Sequence, residues 1–305
     1  MSINEDNVLL TGRSGFLGHQ FAKVFRAIGL NVRGIEEVGA QKIDISNPFR
    51  LPTRRNHSLV VHVAGKAHSV PRDEKEKQSF YDVNFDGTKN LCLALQRAET
   101  LPECFIYIST VAVYGAEEGT FISENHPLNG HTPYADSKIL AEEWLRHWAD
   151  EHSVKLGILR LPLIVGPNPP GNLGAMIKGI KSGKYLSIGQ ARARKSMVWA
   201  EDVARIIPIL AEKGGTFNLT DGHHPTFGEL EEAIAKTLDK RMPLKIPHWA
   251  AKGLALTGDI VGSRFPINSD KLRKITSTLT FDDSKARNIL GWNPTPALSK
   301  IHEIV

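Results

Sequence analysis

The stretch from Thr11 to Gly18, Thr-Gly-Arg-Ser-Gly-Phe-Leu-Gly, constrains this chain more than any other. A short apolar run, Val8 to Leu10, precedes it and a helical pattern from His19 to Ile28 follows, so Gly12, Gly15 and Gly18 fall in a strand-to-helix turn. Glycines there let the backbone around Ser14, Phe16 and Leu17 close on a pyrophosphate, which then sits at the positive end of the helix. By itself such a turn is as consistent with a tight corner. Two further stretches decide for a dinucleotide: Ser109-Thr110 followed by Tyr114-Gly115, and Tyr134-Ala-Asp-Ser-Lys138.

The rest of the chain suits an α/β protein. Apolar runs at Val8-Leu10, Asn31-Ile35, Leu59-Val63, Phe105-Ser109 and Leu156-Leu161 alternate with helical patterns at His19-Ile28, Ser79-Arg97 and Ala135-Glu151. That alternation predicts a doubly wound parallel sheet covered on both faces. A ligand belongs at the carboxyl ends of its strands, where the glycine turn, Ala64-Gly65 and Ser109-Thr110 all fall. From Gly166-Pro-Asn-Pro-Pro-Gly171 the texture changes to Pro and Gly clusters, which sets an expected boundary between residues 1–165 and 166–305. Helices are expected at Leu173-Lys181 and Phe227-Leu238. Thr216-Leu219, within a segment of about 203–222, reads as a strand returning to the first domain.

With 305 residues, 41% of them hydrophobic, the chain buries a full core. Its 38 basic and 33 acidic residues are spread along its length, without a basic block interleaved with aromatics, which argues against nucleic acid. No apolar run approaches the roughly 18 residues of a membrane span, so no membrane partner is expected. Cys92 and Cys104 lack ligand spacing, which points to a reducing cytoplasmic setting and no metal.

Glu36 stands at the end of the second strand, roughly 20 residues beyond the turn, where a carboxylate accepts from ribose hydroxyls and repels a 2′-phosphate. NAD is therefore expected over NADP; the alternatives are a solvated Glu36 beside Glu37, and a phosphate for which Arg13 and Arg33 leave room. Asp44, in Ile43-Asp44-Ile45, either meets the adenine amino group or starts a turn before Asn47-Pro48.

Tyr134 and Lys138 sit four residues apart at the start of a helix, so both project from one face. A phenol titrates near ~10, and a cation held beside it favours the phenolate, which makes it a usable acid or base. Lys138 can also bond the nicotinamide ribose. Thr110, at a strand end, offers a hydroxyl to the same substrate oxygen.

With these residues the sequence resembles the extended short-chain dehydrogenase/reductase family. Matching motifs are the turn at 11–18, His62-Val-Ala-Gly65, Asn84-Phe-Asp-Gly87-Thr88-Lys-Asn90, Ser109-Thr110 with Val113-Tyr114-Gly115, Tyr134 with Lys138, Leu159-Arg160, and Val198 to Asp202. The resemblance implies a Rossmann domain holding NAD(P) and a smaller C-terminal α/β domain closing over a nucleotide-diphosphate sugar. It implies Tyr134 as acid/base, Lys138 as its partner and Thr110 as the third catalytic group. Ile45, Val63, Ala64, Gly65, Lys66, Asn84, Ser109 and Leu161 then line the cofactor cleft.

Within that family the chain looks like the 4-epimerases and 4-ketoreductases of surface-polysaccharide pathways. Sugar 4,6-dehydratases carry an Asp-Glu pair directly after the catalytic Thr. Val111 and Ala112 stand there instead, and aliphatic side chains cannot exchange protons. Asn172-Leu173, opening a helix, matches the family's diphosphate-binding pattern. Leu163 stands where 4-epimerases often have Asn, and Lys195 near a position often filled by Arg. Lys178, Arg192, Arg194 and Lys195 form a basic group suited to a diphosphate; Arg264 is placed for the nucleotide phosphates, and His68 for the hexose. Trp199 reads as packing. The leading expectation is an NAD-dependent nucleotide-sugar 4-epimerase. The alternatives are an NAD(P)H-dependent 4-ketoreductase and a non-catalytic dinucleotide-binding regulator, and by analogy a homodimer is expected.

Overall fold

A computed structural model describes residues 8–28, the backbone of 32–34, and residues 43–51, 57–67, 71–261 and 267–305. In chain order, β1 (Val8–Thr11), α1 (Phe16–Ala27), β2 (Val32–Gly34) and β3 (Leu59–His62) lead to α2 (Glu74–Tyr81), a π-helical turn (Asp82–Asp86) and α3 (Gly87–Gln96). Next come β4 (Cys104–Thr110), β5 (Gly119–Ile122), α4 (Pro133–Glu151), β6 (Lys155–Leu161), β7 (Leu163–Val165), α5 (Gly171–Lys181), β8 (Leu186–Ile188) and β9 (Met197–Trp199). The remainder is α6 (Ala200–Arg205), α7 (Ile207–Lys213), β10 (Gly215–Asn218), α8 (Phe227–Thr237), β11 (Leu244–Ile246), α9 (His248–Val261), α10 (Ser269–Thr276), β12 (Leu279–Phe281) and α11 (Ser284–Leu290).

Six strands form one parallel sheet in the order β10-β6-β4-β3-β1-β2. Alternate residues of each strand feed opposite faces, and both faces are apolar. Val8, Leu10, Val61 and Ile106 pack with Phe21, Phe25, Val203 and Leu210 from α1, α6 and α7. Leu9, Val60, Phe105 and Tyr107 pack with Leu91, Leu95, Leu145 and Trp148 from α3 and α4. The chain leaves β1 outward to β2 and then crosses back to β3 on β1's other side. The carboxyl ends of β1 and β3 thus flank a topological switch point, where open α/β sheets bind ligands.

At that point the backbones close tightly. Gly12 has φ +68, and a Cβ there would lie 2.6 Å from the Ala64 nitrogen; a Cβ on Gly18 would drive into the Gly12 carbonyl. Side chains join the same two strand ends. The Ala64 N–H donates to Thr11 Oγ1 (3.1 Å), and Thr11 Oγ1 lies 2.6 Å from His62 Nδ1. On the other side of the ring, His62 Nε2 is 3.0 Å from Thr88 Oγ1, which donates to the Asn84 carbonyl (2.6 Å). Because Thr88 gives its proton to a carbonyl, His62 must donate from Nε2 and accept from Thr11 at Nδ1. One neutral tautomer is selected.

Elsewhere the helices start on their own signals. Thr132 caps α4 by accepting from the Ala135 N–H (3.2 Å), and Pro133 occupies the first turn. The helix expected over Ser79-Arg97 is instead interrupted by the π turn, a device that re-aims one side chain, here Asn84. Three two-stranded parallel sheets, β11-β8, β12-β5 and β7-β9, lie outside the main one.

Burial, with the nearby Lys138 ammonium, pushes His62 down to about 3. Between about pH 3 and its ordinary 6.5 the folded protein binds fewer protons at this site than the unfolded chain, so stability rises with pH over that window. Urea unfolding followed from pH 7 to pH 4 is expected to show stability falling on the acid side, with a shallower fall in His62→Gln.

Candidate active site

The site is built on β4, the turn that follows it, and the first turns of α4. Thr110 ends β4, and its Oγ1 accepts from the Ala112 N–H (3.2 Å), capping a short 3-10 turn over Val111–Tyr114. Its hydroxyl lies close enough to the phenol of Tyr134 to favour the phenolate. Tyr134 is partly exposed and stands 6.2 Å, ring to ring, from Phe80. One helical turn on, Lys138 is buried; its Nζ donates to the Ile108 carbonyl (2.8 Å) and lies 4.4 Å from the Tyr107 ring centre. Helical spacing thus puts Tyr134 and Lys138 one turn apart on α4, beside the end of β4 that carries Thr110.

Electrostatics at these groups differ from the sequence argument. Burial raises the Tyr134 phenol above its ordinary value, and the Thr110 hydroxyl opposes that. Lys138 does not set it, because the lysine reaches down to β4 rather than across to the phenol. Burial pulls Lys138 itself down to about 7, and the Glu142 carboxylate pushes it back up.

Asn84 closes the cleft from the side. Its Oδ1 accepts from the Lys66 N–H (2.7 Å), while Nδ2 donates to the Lys66 carbonyl (3.1 Å) and to Ser137 Oγ (3.0 Å), which in turn donates to the Tyr134 carbonyl (2.9 Å). Lys66 Nζ donates to Ser79 Oγ (2.6 Å). Gly65 lies over both polar groups: a Cβ there would meet Asn84 Oδ1 at 3.1 Å and Lys138 Nζ at 3.4 Å. Across the cleft, Ser14 and Gly15 are exposed, Phe16 is half-buried, and Leu17 and Gly18 are buried at the start of α1. Gly15 precedes that helix and has no side chain to cap it, so the first-turn amides stay available to an anion. A Cβ on Gly166 would meet the Phe16 ring at 3.2 Å, so the loop leading to Asn172 departs from beside this turn. Asn172 is exposed in the first turn of α5.

Other expected site residues go elsewhere. Asp44 is exposed, and its carboxylate accepts from the Ser46 N–H (3.0 Å), Ser46 Oγ (2.8 Å) and Asn47 Nδ2 (3.3 Å). Of its two readings, that is the turn. Ile45 is buried against Gly87, Val63 packs on the core, and Leu161 is buried in it. Ser109 directs its hydroxyl away, to Glu142. Lys195 is half-buried, bridged to Leu279, and brought down to about 8 by burial and then by Lys274. Arg194 is held by the His224 carbonyl (2.9 Å), and Trp199 is core. Glu36, His68, Arg264 and the side chain of Arg33 lie outside the described residues.

Comparison with known proteins identifies the lineage. Residues 8–220 match the model of the NAD dependent epimerase/dehydratase family. The UDP-glucose 4-epimerase of Vibrio cholerae is 30% identical over 318 residues, covering 96% of this chain and 92% of that protein. This chain belongs to that family. The N-acetyl-alpha-D-glucosaminyl-diphospho-ditrans,octacis-undecaprenol 4-epimerase of Escherichia coli O157:H7 is 27% identical, covering 93% of this chain and 89% of that one. The crystal structure of UDP-glucose 4-epimerase with UDP-glucose from Thermotoga maritima shares the fold at TM-score 0.74 and 20% identity, over 97% of this chain and 96% of that one. The family's cofactor is NAD. The cleft fits a dinucleotide: uncapped first-turn amides, the Gly12 and Gly18 close approaches, and the opening that Gly65 leaves over Lys138 and Asn84.

One group escaped the sequence reading. Glu142, fully buried, accepts from Arg160 Nη2 (2.6 Å), from Arg160 Nε (3.1 and 3.2 Å) and from Ser109 Oγ (2.5 Å). Arg160 Nη1 continues to the Tyr114 hydroxyl (3.2 Å), which donates to Asn218 Oδ1 (2.7 Å) on β10. The signal was present, since Glu142 repeats the Tyr134-to-Lys138 step one helical turn on. Removing the carboxylate leaves the buried Arg160 charge without its ion-pair partner, so Glu142→Gln is expected to cost about 3–5 kcal/mol of unfolding free energy in urea. A Glu142→Met/Arg160→Met double variant is expected to lose less.

Proposed function

We propose that this protein is a 4-epimerase acting on a hexose carried on a diphosphate, with a nucleotide sugar as the substrate. In this reading Gly12, Ser14, Gly15, Phe16, Leu17 and Gly18 receive the dinucleotide pyrophosphate, while Gly65, Lys66, Asn84 and Lys138 border its nicotinamide half. Residues 1–165, with the returning segment near 203–222, hold the cofactor, and residues 166–305 mainly the substrate. NAD bound there would supply reversible hydride exchange.

Tyr134 takes the proton of the 4-hydroxyl and later returns one to the same oxygen. The Thr110 hydroxyl opposes the effect of burial on the phenol and so favours the phenolate. The Lys138 nitrogen, held under the cleft by the Ile108 carbonyl and lying below Gly65, would donate to the nicotinamide ribose of a bound dinucleotide. Val111 is half-buried against Tyr114 and Phe281 and carries no proton, which supports chemistry confined to C4. Asn172, at the uncapped start of α5, and the positive end of that helix suit the diphosphate. The observation that carries the reading is the Thr110–Tyr134–Lys138 cluster beside a glycine-lined switch point. Kinship with 4-epimerases acting on diphosphate-linked sugars supports it.

A 4-ketoreductase would use the same three residues with Tyr134 as acid. Leu163, packed in the β7–β9 core where an Asn was expected for an epimerase, keeps that second reading in view. Incubation with UDP-glucose and NAD is expected to yield the 4-epimer with no net change at 340 nm, and Tyr134→Phe is expected to lower turnover by about 100-fold or more. Stoichiometric oxidation of NAD(P)H by a 4-keto sugar would select the reductase, and full turnover in Tyr134→Phe would remove the phenol from the mechanism.

A further inference from the structure

Helix α9 is built inside out. Its buried side consists of Ala251, Ala255 and Gly258, and the two alanines pack with Ile188, Ile246 and Leu272 of β8, β11 and α10. Its large apolar side chains face the other way. Trp249, Leu256 and Ile260, spaced seven and four residues apart along one stripe, are 77%, 61% and 87% exposed, with Gly253 between them. The hydrophobic effect alone would place such residues inward, and a patch this large on a surface marks an interaction site. Leu244 (76% exposed) and Met242 are further exposed apolar side chains in the segment just before α9. Leu244 pairs in register with Leu186, itself exposed, across the β11–β8 ladder.

The exposed charge along this segment is mostly positive. From Lys240 to Val261 the chain carries Lys240, Arg241, Lys245 and Lys252, all exposed, against Asp259 alone. Asp259 is engaged in accepting from the Ser269 N–H and hydroxyl. An exposed apolar stripe with a Trp, on a segment rich in exposed Lys and Arg, matches the interface of a bilayer with anionic headgroups. The helix is about 21 Å long, too short to cross, and among the described residues no helix is long and apolar enough to do so. Lying on a membrane needs only a face, which a search for spanning runs does not address.

We propose that the α9 face, with Leu244 and Met242, seats this protein on an anionic membrane surface. α10, on which α9 packs, is tied back to the segment after the catalytic Thr110 by Arg273 to Glu117 (2.6 Å), so the seated face is joined to the cleft side by one helix. The inference does not depend on the epimerase reading, because attachment is measured without turnover.

The test is co-sedimentation of the full chain with vesicles of phosphatidylcholine alone, or with about a third phosphatidylglycerol. Binding to the anionic vesicles is expected to fall with added salt, with a blue shift of tryptophan emission that disappears in Trp249→Phe. Trp249→Ser/Leu256→Ser/Ile260→Ser, and separately Lys240→Glu/Lys245→Glu, are expected to lower the bound fraction about tenfold without moving the thermal midpoint. The charge pair keeps the test open should the triple variant not fold. Failure of the wild type to sediment with either vesicle overturns the proposal, as does undiminished binding by both variants. A solution oligomer that the triple variant dissociates, without vesicle binding, would assign the face to a second copy of the chain instead.

Discussion

A single buried ammonium holds the site together. Lys138 leaves α4 on the face that meets the sheet and bonds the Ile108 carbonyl at the end of β4. A charge in that position is costly unless polar groups surround it. The cleft supplies a carbonyl, an aromatic face, and the Glu142 carboxylate one turn further along, itself neutralised by Arg160. Gly65 and Asn84 complete the surroundings from β3 and the π turn. Each of these requires its element in place, so the position of one nitrogen ties α4, β3, β4 and β6 into one arrangement.

The His62 relay plays the matching part between β1 and β3. It fixes the two strand ends where the sheet reverses direction, and it does so with a neutral ring in one tautomer. Both buried polar clusters sit under the cleft rather than in it. They make the backbone turns rigid, so the glycine turn, Thr110 and Tyr134 present groups that need little rearrangement when a ligand enters.

How much of this was legible follows from what each feature depends on. The parallel sheet and its helices are local patterns of apolar residues, and Val8, Leu59, Phe105 and Leu156 all read as the strands they form. The cluster of Thr110, Tyr134 and Lys138 was legible because helical spacing and a strand end fix it. Glu142 with Arg160, and Thr11 with His62, were not, because each pairs residues from different elements and only tertiary packing brings them together. Asp44 and Ser109 show the converse. Their sequence context permits a cofactor contact, but Ser46, Asn47 and Glu142 compete for the same oxygens. The outward face of α9 was missed for a different reason: a composition reading seeks long apolar runs, whereas here the information lies in which side of a helix carries the large residues.

The same physical account explains why the phenol and the ammonium are displaced in opposite directions. Burial disfavours both charged forms, raising Tyr134 and lowering Lys138. The ammonium is therefore near the balance point at neutral pH. The most direct measurement is the titration of lysine side chains by carbon-13 NMR in the folded protein, with Lys138→Met to assign the signal. One resonance absent from the variant and titrating near 7 is the result expected. If every lysine titrates near 10.5 and the variant removes only one of those signals, the ammonium is solvated and the account of this cleft fails.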